Sequence, residues 1–214
     1  EGTRKYTTAT IAEKLDYYGS WLELSCSSEY AYLTIYSLNK YVAETLEVVE
    51  SMIKEPLFPE KELNTILDTN IQQYLVNSSK VDFLAQRSLM QALYGELHPC
   101  GQMTVEEDYR AIKPEVLRSF YQEYYHSGNC SIFLSGKVTS EIIQRVTDAF
   151  GCPFGMHQQK AARPDFSFTA IPEKRILTER EDALQSAVKM GCTTITRTHP
   201  DYLKLRVLMT LFGG

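Results

Sequence analysis

The chain has 214 residues, 43% of them hydrophobic and 23% charged, which is typical of a globular protein large enough to bury a substantial core. Its formal net charge is -5, with 22 basic and 27 acidic side chains mixed along the chain, so we expect no nucleic-acid partner. No apolar run approaches the length needed to cross a bilayer, which predicts no membrane span.

The first predicted element is a helix. Thr10 and Glu13 have the spacing of a capping box, although Thr7 or Thr8 could equally begin the helix. Gly19 supplies the expected end, because glycine commonly follows the last helical turn.

A β-hairpin is predicted next. Residues 21–27 alternate, with Trp21, Glu23 and Ser25 on one side, and residues 30–37 form a second run rich in Tyr, Leu, Thr and Ile. A short polar turn separates the two runs, which is the pattern of two antiparallel strands.

Apolar side chains at helical spacing predict several further helices. They begin near Val42, Glu60, Val81, Pro114 and Ser140. A short apolar strand is predicted over 131–135, between the last two of these helices. These elements together indicate an α+β fold with a largely antiparallel sheet and helices packed on one face.

The character of the sequence changes after Gly151. Residues 152–172 contain three prolines and no clear period, so we interpret them as a linker between a first domain, 1–151, and the beginning of a second, 173–214. The second domain is expected to open with strands over 175–181 and 187–196 and with an apolar helix from Leu203 onward. We expect the fold to be truncated at both ends.

No motif of this sequence carries recognisable catalytic chemistry. The five cysteines form no C-x-x-C pair, and we interpret them as reduced thiols that act as small apolar side chains. No two histidines have the i, i+4 spacing of metal ligands on one helix, so each is interpreted as a loop or surface residue. These histidines are His98, His126, His157 and His199. Four carboxylates on or near apolar elements show no pairing pattern for acid–base chemistry, namely Asp16, Glu23, Glu29 and Asp68.

Several short sequence motifs, called phrases below, occur along the chain in a distinctive order. Gly2-Thr3 precedes the first helix, and Tyr94-Gly95, His98-Pro99 and Gly101 form one loop. Further phrases lie at 11–19, 56–60, 107–129, 150–151, 185–191, 199–202 and 211–214. Their order and spacing resemble those of the insulinase/pitrilysin-type (M16) peptidases over nearly the whole chain. The resemblance implies an M16 peptidase/LuxS-like fold.

Active M16 members bind zinc through an H-x-x-E-H motif and a further Glu on a later helix, and the Glu of the motif activates the attacking water. The resemblance places that motif before Glu1 and the later Glu in the helix that begins near Glu60. The sequence departs from the family there, because no Glu occurs between Glu62 and Glu96 and Asp68 stands in the expected region. Asp68 is only a weak candidate for the third ligand. Because the other ligands are expected before Glu1, the resemblance implies no catalytic residue, no metal site and no cofactor within this chain.

The resemblance leaves three functions open. In the first, the chain is a non-catalytic half or subunit that pairs with an active M16 peptidase subunit or half and supports binding of the peptide substrate, which adds as a strand to a sheet edge. In the second, it belongs to an active zinc endopeptidase whose H-x-x-E-H lies upstream. In the third, it is a structural core subunit without a proteolytic role. The sequence indicates no compartment.

Overall fold

The computed structural model describes residues 2–27, 30–156, 170 and 175–212. Its regular elements are α1 (Thr8–Tyr17), β1 (Trp21–Cys26), β2 (Ala31–Tyr36), α2 (Val42–Lys54), α3 (Glu60–Ser78), α4 (Val81–Tyr94), α5 (Glu106–Ala111), α6 (Pro114–Tyr124), α7 (Ser140–Phe150) and α8 (Tyr202–Leu211). The predicted α+β class is confirmed, and the sheet is antiparallel. Within these described ranges, no helix is both long and apolar enough to cross a lipid bilayer.

The chain forms two compact units. The first contains residues 1–75 and 104–165, and the second contains residues 76–103 and 166–214. The predicted division into 1–151, a linker at 152–172 and 173–214 stays a prediction, because most of residues 157–174 lie outside the described part of the chain.

The first helix begins at Thr8 and is capped by Thr7, rather than beginning at Thr10. The Oγ1 atom of Thr7 accepts a hydrogen bond from the amide of Thr10 at 3.2 Å, which satisfies one of the free N–H groups of the first turn. The predicted end is confirmed at Gly19, whose φ of +60° is strained for residues with a side chain.

A small apolar core holds the first unit together. Ile11 and Leu15 of α1 pack against Val48 of α2, which is only 1% exposed. The surrounding half-buried side chains are Tyr6, Leu22 and Met52. Burial of each large apolar side chain contributes about 1.5–3 kcal/mol, so this cluster fixes α1 and the start of β1 on α2.

The segment before α1 is fastened to α2 by two buried hydroxyl groups. The Oγ1 atom of Thr3 accepts a hydrogen bond from the Ser51 hydroxyl at 2.6 Å and another from the amide of Tyr6 at 2.9 Å. Thr3 also forms an isolated antiparallel bridge with Pro56, just after α2 ends. The Gly2-Thr3 phrase therefore has a structural role.

The predicted hairpin is confirmed. Its register pairs Trp21 with Tyr36 at one end and Cys26 with Ala31 at the other. The turn residues 28–29 lie outside the described part of the chain.

The second unit is built around α4. The Lys189 ammonium group lies 2.7 Å from the Asp82 carboxylate at the start of α4, and the Arg180 guanidinium donates to the carbonyl oxygen of Ser78 at 3.1 Å. Helix α8 is exposed along much of its apolar surface, and Leu203 is 74% exposed.

The prediction of strands over 131–135, 175–181 and 187–196 is wrong. In the described part of the chain these runs form no strand, and the sheet has two strands rather than the several that were expected. A β-like composition shows that a segment suits a pleated, half-buried surface, but a strand also needs a hydrogen-bonded neighbour. Phe133, in the first of these runs, is 91% exposed.

Candidate functional site

Asp68 lies on the exposed side of α3, beside an open cleft of about 670 Å³. One face of α3 forms one wall of the cleft, and the segment joining α5 to α6 forms the other. The lining residues are Glu60, Asn64, Leu67, Asp68, Ile71, Tyr109, Arg110, Ile112, Lys113, Pro114 and Glu115. Asp68, the site candidate from the sequence, therefore lies in an open cleft of the first unit.

Two of the five charged residues that line this cleft, Arg110 and Glu115, form local surface ion pairs. The guanidinium of Arg110 donates to the Glu106 carboxylate at 2.9 and 2.5 Å, and Arg118 donates to Glu115 at 3.3 Å. Exposed pairs of this kind contribute little free energy, about 0–1 kcal/mol. Asp68 itself forms no salt bridge with any described residue.

Two histidines stabilise the turns that contain them. The Nδ1 atom of His98 accepts a hydrogen bond from the amide of Cys100 at 3.0 Å, and Nδ1 of His199 accepts one from the amide of Asp201 at 3.1 Å. Both are His-Pro turns, so the expected loop positions are confirmed. Among the described residues, no group of three or more His, Cys, Asp or Glu could hold a metal ion.

His126 is in a loop, as expected, but it is not at the surface. Only 2% of the residue is exposed, because the segment around Gly155 packs directly against it. A Cβ atom at Gly155 would lie 2.5 Å from the Cβ atom of His126, and the amide of Ser127 donates to the carbonyl oxygen of Phe154 at 3.0 Å. His157 lies outside the described residues.

The pKa values that depart from their ordinary range have structural causes. Burial raises the pKa of Tyr125 and of Tyr121. A hydrogen bond from Lys5, with a second one from Tyr6, lowers the pKa of the exposed Glu47 carboxyl. These groups lie away from the lining of the Asp68 cleft.

The β1–β2 hairpin provides a second candidate site, which the search for motifs missed. Five of the six residues of β1 are exposed, and the edge of β1 opposite to β2 carries no further strand within the described residues. Glu23 lies on this exposed strand, and Asp16 is exposed on α1, whereas Glu29 lies outside the described part of the chain. The alternation of residues 21–27 was the signal that could have found this surface.

The ends of the hairpin are tied to α2 by a cluster of three hydroxyl groups. The Ser20 and Ser37 hydroxyls lie 2.8 and 3.1 Å from Oγ1 of Thr45, and the two serine hydroxyls are 3.2 Å apart. Thr45 is fully buried and also donates to the carbonyl oxygen of Tyr41 at 2.9 Å. The position of the hairpin relative to α2 is therefore well defined.

Comparison with known proteins shows which family the chain resembles. Residues 111–214 match the family model described as the peptidase M16 inactive domain. The crystal structure of a peptidase M16 inactive domain from Pseudomonas fluorescens superposes on 77% of this chain and 40% of that chain, with a TM-score of 0.67 and 22% sequence identity. The chain is therefore similar to the M16 peptidases, most directly to their inactive domain. Its fold is thus an M16 fold, as the resemblance in the sequence implied.

Two curated proteins match the whole chain. The Uncharacterized zinc protease YmxG of Bacillus subtilis (strain 168) is 24% identical to it, and 51% of that protein is covered. The Non-peptidase homolog YmxG of Helicobacter pylori is 22% identical, and 49% of that protein is covered. The chain thus spans about half the length of these relatives, and their names differ on whether the protein is a peptidase.

The surroundings of Asp68 do not fit the zinc site of an active M16 peptidase. The cleft offers the carboxylates of Glu60, Asp68 and Glu115 but no imidazole or thiolate, and Arg110 and Lys113 bring positive charge into it. Protein zinc sites are built largely from histidine and cysteine ligands, with carboxylates as additional ligands. A role for Asp68 as third ligand stays a prediction, which needs two further ligands from outside the described residues.

Proposed function

We propose that this chain is the non-catalytic half or subunit of an M16 peptidase assembly, in which it helps an active M16 partner to hold its peptide substrate. The observation that carries the proposal is the outer edge of β1, which is exposed and unpaired within the described residues. An unpaired edge presents a row of backbone N–H and C=O groups to which an extended peptide can add as a new strand.

A useful peptide-binding edge must be held rigidly, because an edge that orders only on binding loses affinity. Two features hold β1. Leu22 packs on the apolar core, and its neighbours Leu33 and Ile35 in β2 are partly buried, whereas Leu24 on the same face of β1 is 64% exposed. The hydroxyl cluster centred on Thr45 ties the ends of the hairpin to α2.

The partner supplies the chemistry in this proposal. The chain contains no H-x-x-E-H motif and no Glu between Glu62 and Glu96. An active M16 chain carries the metal ligands and the general base that activates water. The name of the Helicobacter relative, a non-peptidase homolog, supports the same interpretation.

N-methylated peptides test whether a peptide binds by adding to the edge of β1. The probe is a fluorescent peptide of alternating Ser and Val around a central Lys, and its binding to the native full-length protein is followed by fluorescence anisotropy. Two versions carry methyl groups on alternate amides, on the odd positions in one and on the even positions in the other. We expect one version to lose about tenfold or more in affinity, because successive amides of an added strand point alternately toward and away from the edge.

The two methylated peptides control for each other, since they have the same composition and the same loss of donors. Equal binding of both versions, or no binding of the unmethylated peptide, would contradict the proposal.

The name of the Bacillus relative, an uncharacterized zinc protease, favours the second function, an active endopeptidase. That function requires an H-x-x-E-H in the native full-length protein and zinc bound with it. A purely structural subunit would instead bind its partner without changing the rate of cleavage. Zinc content and the rate of peptide cleavage, measured with and without an active partner, separate these functions.

A further inference from the structure

The outer face of the hairpin has an unusual composition. The alternation of the strands places Trp21, Glu23 and Ser25 of β1 on the face that is not packed on the core. The cross-strand partners of these residues, on the same face, are Tyr36, Thr34 and Tyr32. Glu23 is the only acidic or basic residue in either strand.

The aromatic side chains of this face are open to solvent. Trp21 is 66% exposed, and Tyr36 and Tyr32 are 56% and 54% exposed. Large aromatic side chains are usually more buried than this, and an exposed group of them indicates a surface that binds something. Trp21 and Tyr36 are directly opposite in the register, so their Cβ atoms are about 5 Å apart.

Glu23 lies on the same face of the hairpin as Trp21 and Tyr36. It is two residues along β1 from Trp21 and diagonal to Tyr36, and same-face neighbours along a strand are about 6.6–6.8 Å apart. Glu23 forms no salt bridge with any other residue that the structure describes. Two aromatic rings beside one carboxylate form a surface that attracts an organic cation.

We propose that this face, formed by Trp21, Glu23 and Tyr36, binds a basic side chain of an extended peptide that adds to β1. The inference rests on the proposed function, because the peptide must first lie along the edge. An added strand projects every second side chain onto this face. A lysine or arginine there places its cationic group beside the Glu23 carboxylate and its aliphatic stem along the rings.

A different role for Glu23 makes a different prediction. Charged side chains on edge strands also protect an edge from pairing with a second copy of the same chain. In that case the charge of Glu23 affects self-association of the protein. The affinity for a peptide then does not depend on whether the peptide carries a basic side chain at this position.

The test compares two peptides and two proteins. The fluorescent Ser-Val peptide with a central Lys is compared with the same peptide carrying norleucine, which keeps most of the aliphatic stem and lacks the ammonium group. Affinities are measured for the native full-length protein and for its Glu23→Gln variant. We expect the native protein to prefer the Lys peptide by about tenfold, and the preference to fall to near parity in Glu23→Gln.

A matched variant and an aromatic variant complete the design. Glu13→Gln removes an exposed carboxylate from α1 and should leave the preference unchanged. Trp21→Leu should weaken the Lys peptide more than the norleucine peptide, because it removes a ring and keeps an apolar side chain. Unchanged thermal unfolding shows that each variant is folded.

Each result decides between the proposals. Equal binding of the Lys and norleucine peptides, or a preference that survives in Glu23→Gln, overturns this inference and leaves the proposed function standing. If Glu23→Gln raises only self-association, Glu23 protects the edge, and the inference is wrong. If neither peptide binds, the proposed function fails and this inference fails with it.

Discussion

Tyr121 of α6 closes the end of α2 through its hydroxyl group. The Oη atom donates to the carbonyl oxygens of Ile53 at 2.7 Å and Lys54 at 3.1 Å. These carbonyls belong to the last turn of α2, where the helix itself offers no donor. The ring of Tyr121 lies 5.7 Å from that of Phe58, whose φ of +51° lets the chain turn between two prolines.

Removal of this hydroxyl tests its contribution to stability. Tyr121→Phe keeps the ring and leaves the two partly buried carbonyls without this donor, so we expect the free energy of unfolding to fall by about 1 kcal/mol. Urea unfolding measures the change. The control is Tyr17→Phe, which removes a hydroxyl from a side chain that is 80% exposed and should change little. An equal effect of both substitutions would contradict the role of Tyr121.

The native protein and Tyr121→Phe should also differ in how their stability changes in alkaline solution. Burial raises the pKa of Tyr121, and the charge of Glu55 raises it further, so the folded state holds the phenol proton more tightly than the unfolded state. The corresponding stability is present below about pH 10, the ordinary pKa of tyrosine, and is lost as the pH rises through the raised pKa. The free energy of unfolding should therefore fall more steeply above about pH 10 in the native protein than in Tyr121→Phe.

The conformation of the loop after α4 depends on two glycines, Gly95 and Gly101. Gly95 ends the helix with a φ of +79°, and Gly101 returns so close that a Cβ atom on it would lie 2.0 Å from the carbonyl oxygen of Gly95. That atom belongs to the backbone and cannot rotate away. The Gly-x-x-His-Pro-x-Gly phrase therefore specifies a close approach of two backbone segments, with His98 accepting a hydrogen bond inside the loop.

Gly101→Ala should destabilise the second unit. The added methyl group forces the two backbone segments apart, which costs about 1–3 kcal/mol. Hydrogen exchange of the α4 amides reports the loss as faster exchange. The control is Gly191→Ala, whose new Cβ would meet only side-chain atoms of Leu89 and Leu93, the nearest at 3.3 Å. Equal exchange in Gly101→Ala and the native protein would show that the loop tolerates the methyl group.

The elements that the sequence predicted correctly are those with local causes. The helices follow from apolar spacing, and their limits follow from punctuating residues such as Gly19, Gly95 and Pro114, whose conformational restrictions act within one turn. The strands over 131–135, 175–181 and 187–196 were predicted wrongly, because a strand depends on a neighbour that the local sequence does not specify.

The candidate sites show the same limit. Asp68 came from the resemblance, but its cleft is completed by residues 109–115, which are distant in sequence and carry no sign of that contact. The alternation of residues 21–27 predicted which side chains share a face of the hairpin, and the register of the two strands confirms that prediction. Its exposure could not be predicted, because it depends on which elements pack against each face.

At the scale of the whole molecule, the chain is similar to the inactive domain of the M16 peptidases and carries an exposed strand edge, and its described residues offer no cluster that could hold a metal ion. The proposed function makes the active site a property of the assembly. This chain then contributes to the binding of the peptide, and the partner contributes its cleavage. This chain should therefore lower the KM of the partner and leave its kcat nearly unchanged. Binding energy that stabilises the bound substrate and the transition state equally lowers KM without raising kcat.

The most direct test measures zinc content and peptide cleavage of the native full-length protein, alone and mixed with an active M16 peptidase from the same cells. We expect no stoichiometric zinc and no cleavage by the protein alone, together with a lower KM of the partner in the mixture. Stoichiometric zinc and cleavage by the protein alone would contradict the central claim and make Asp68 the ligand to substitute. A stable complex with unchanged kinetics would also contradict it and indicate a structural subunit.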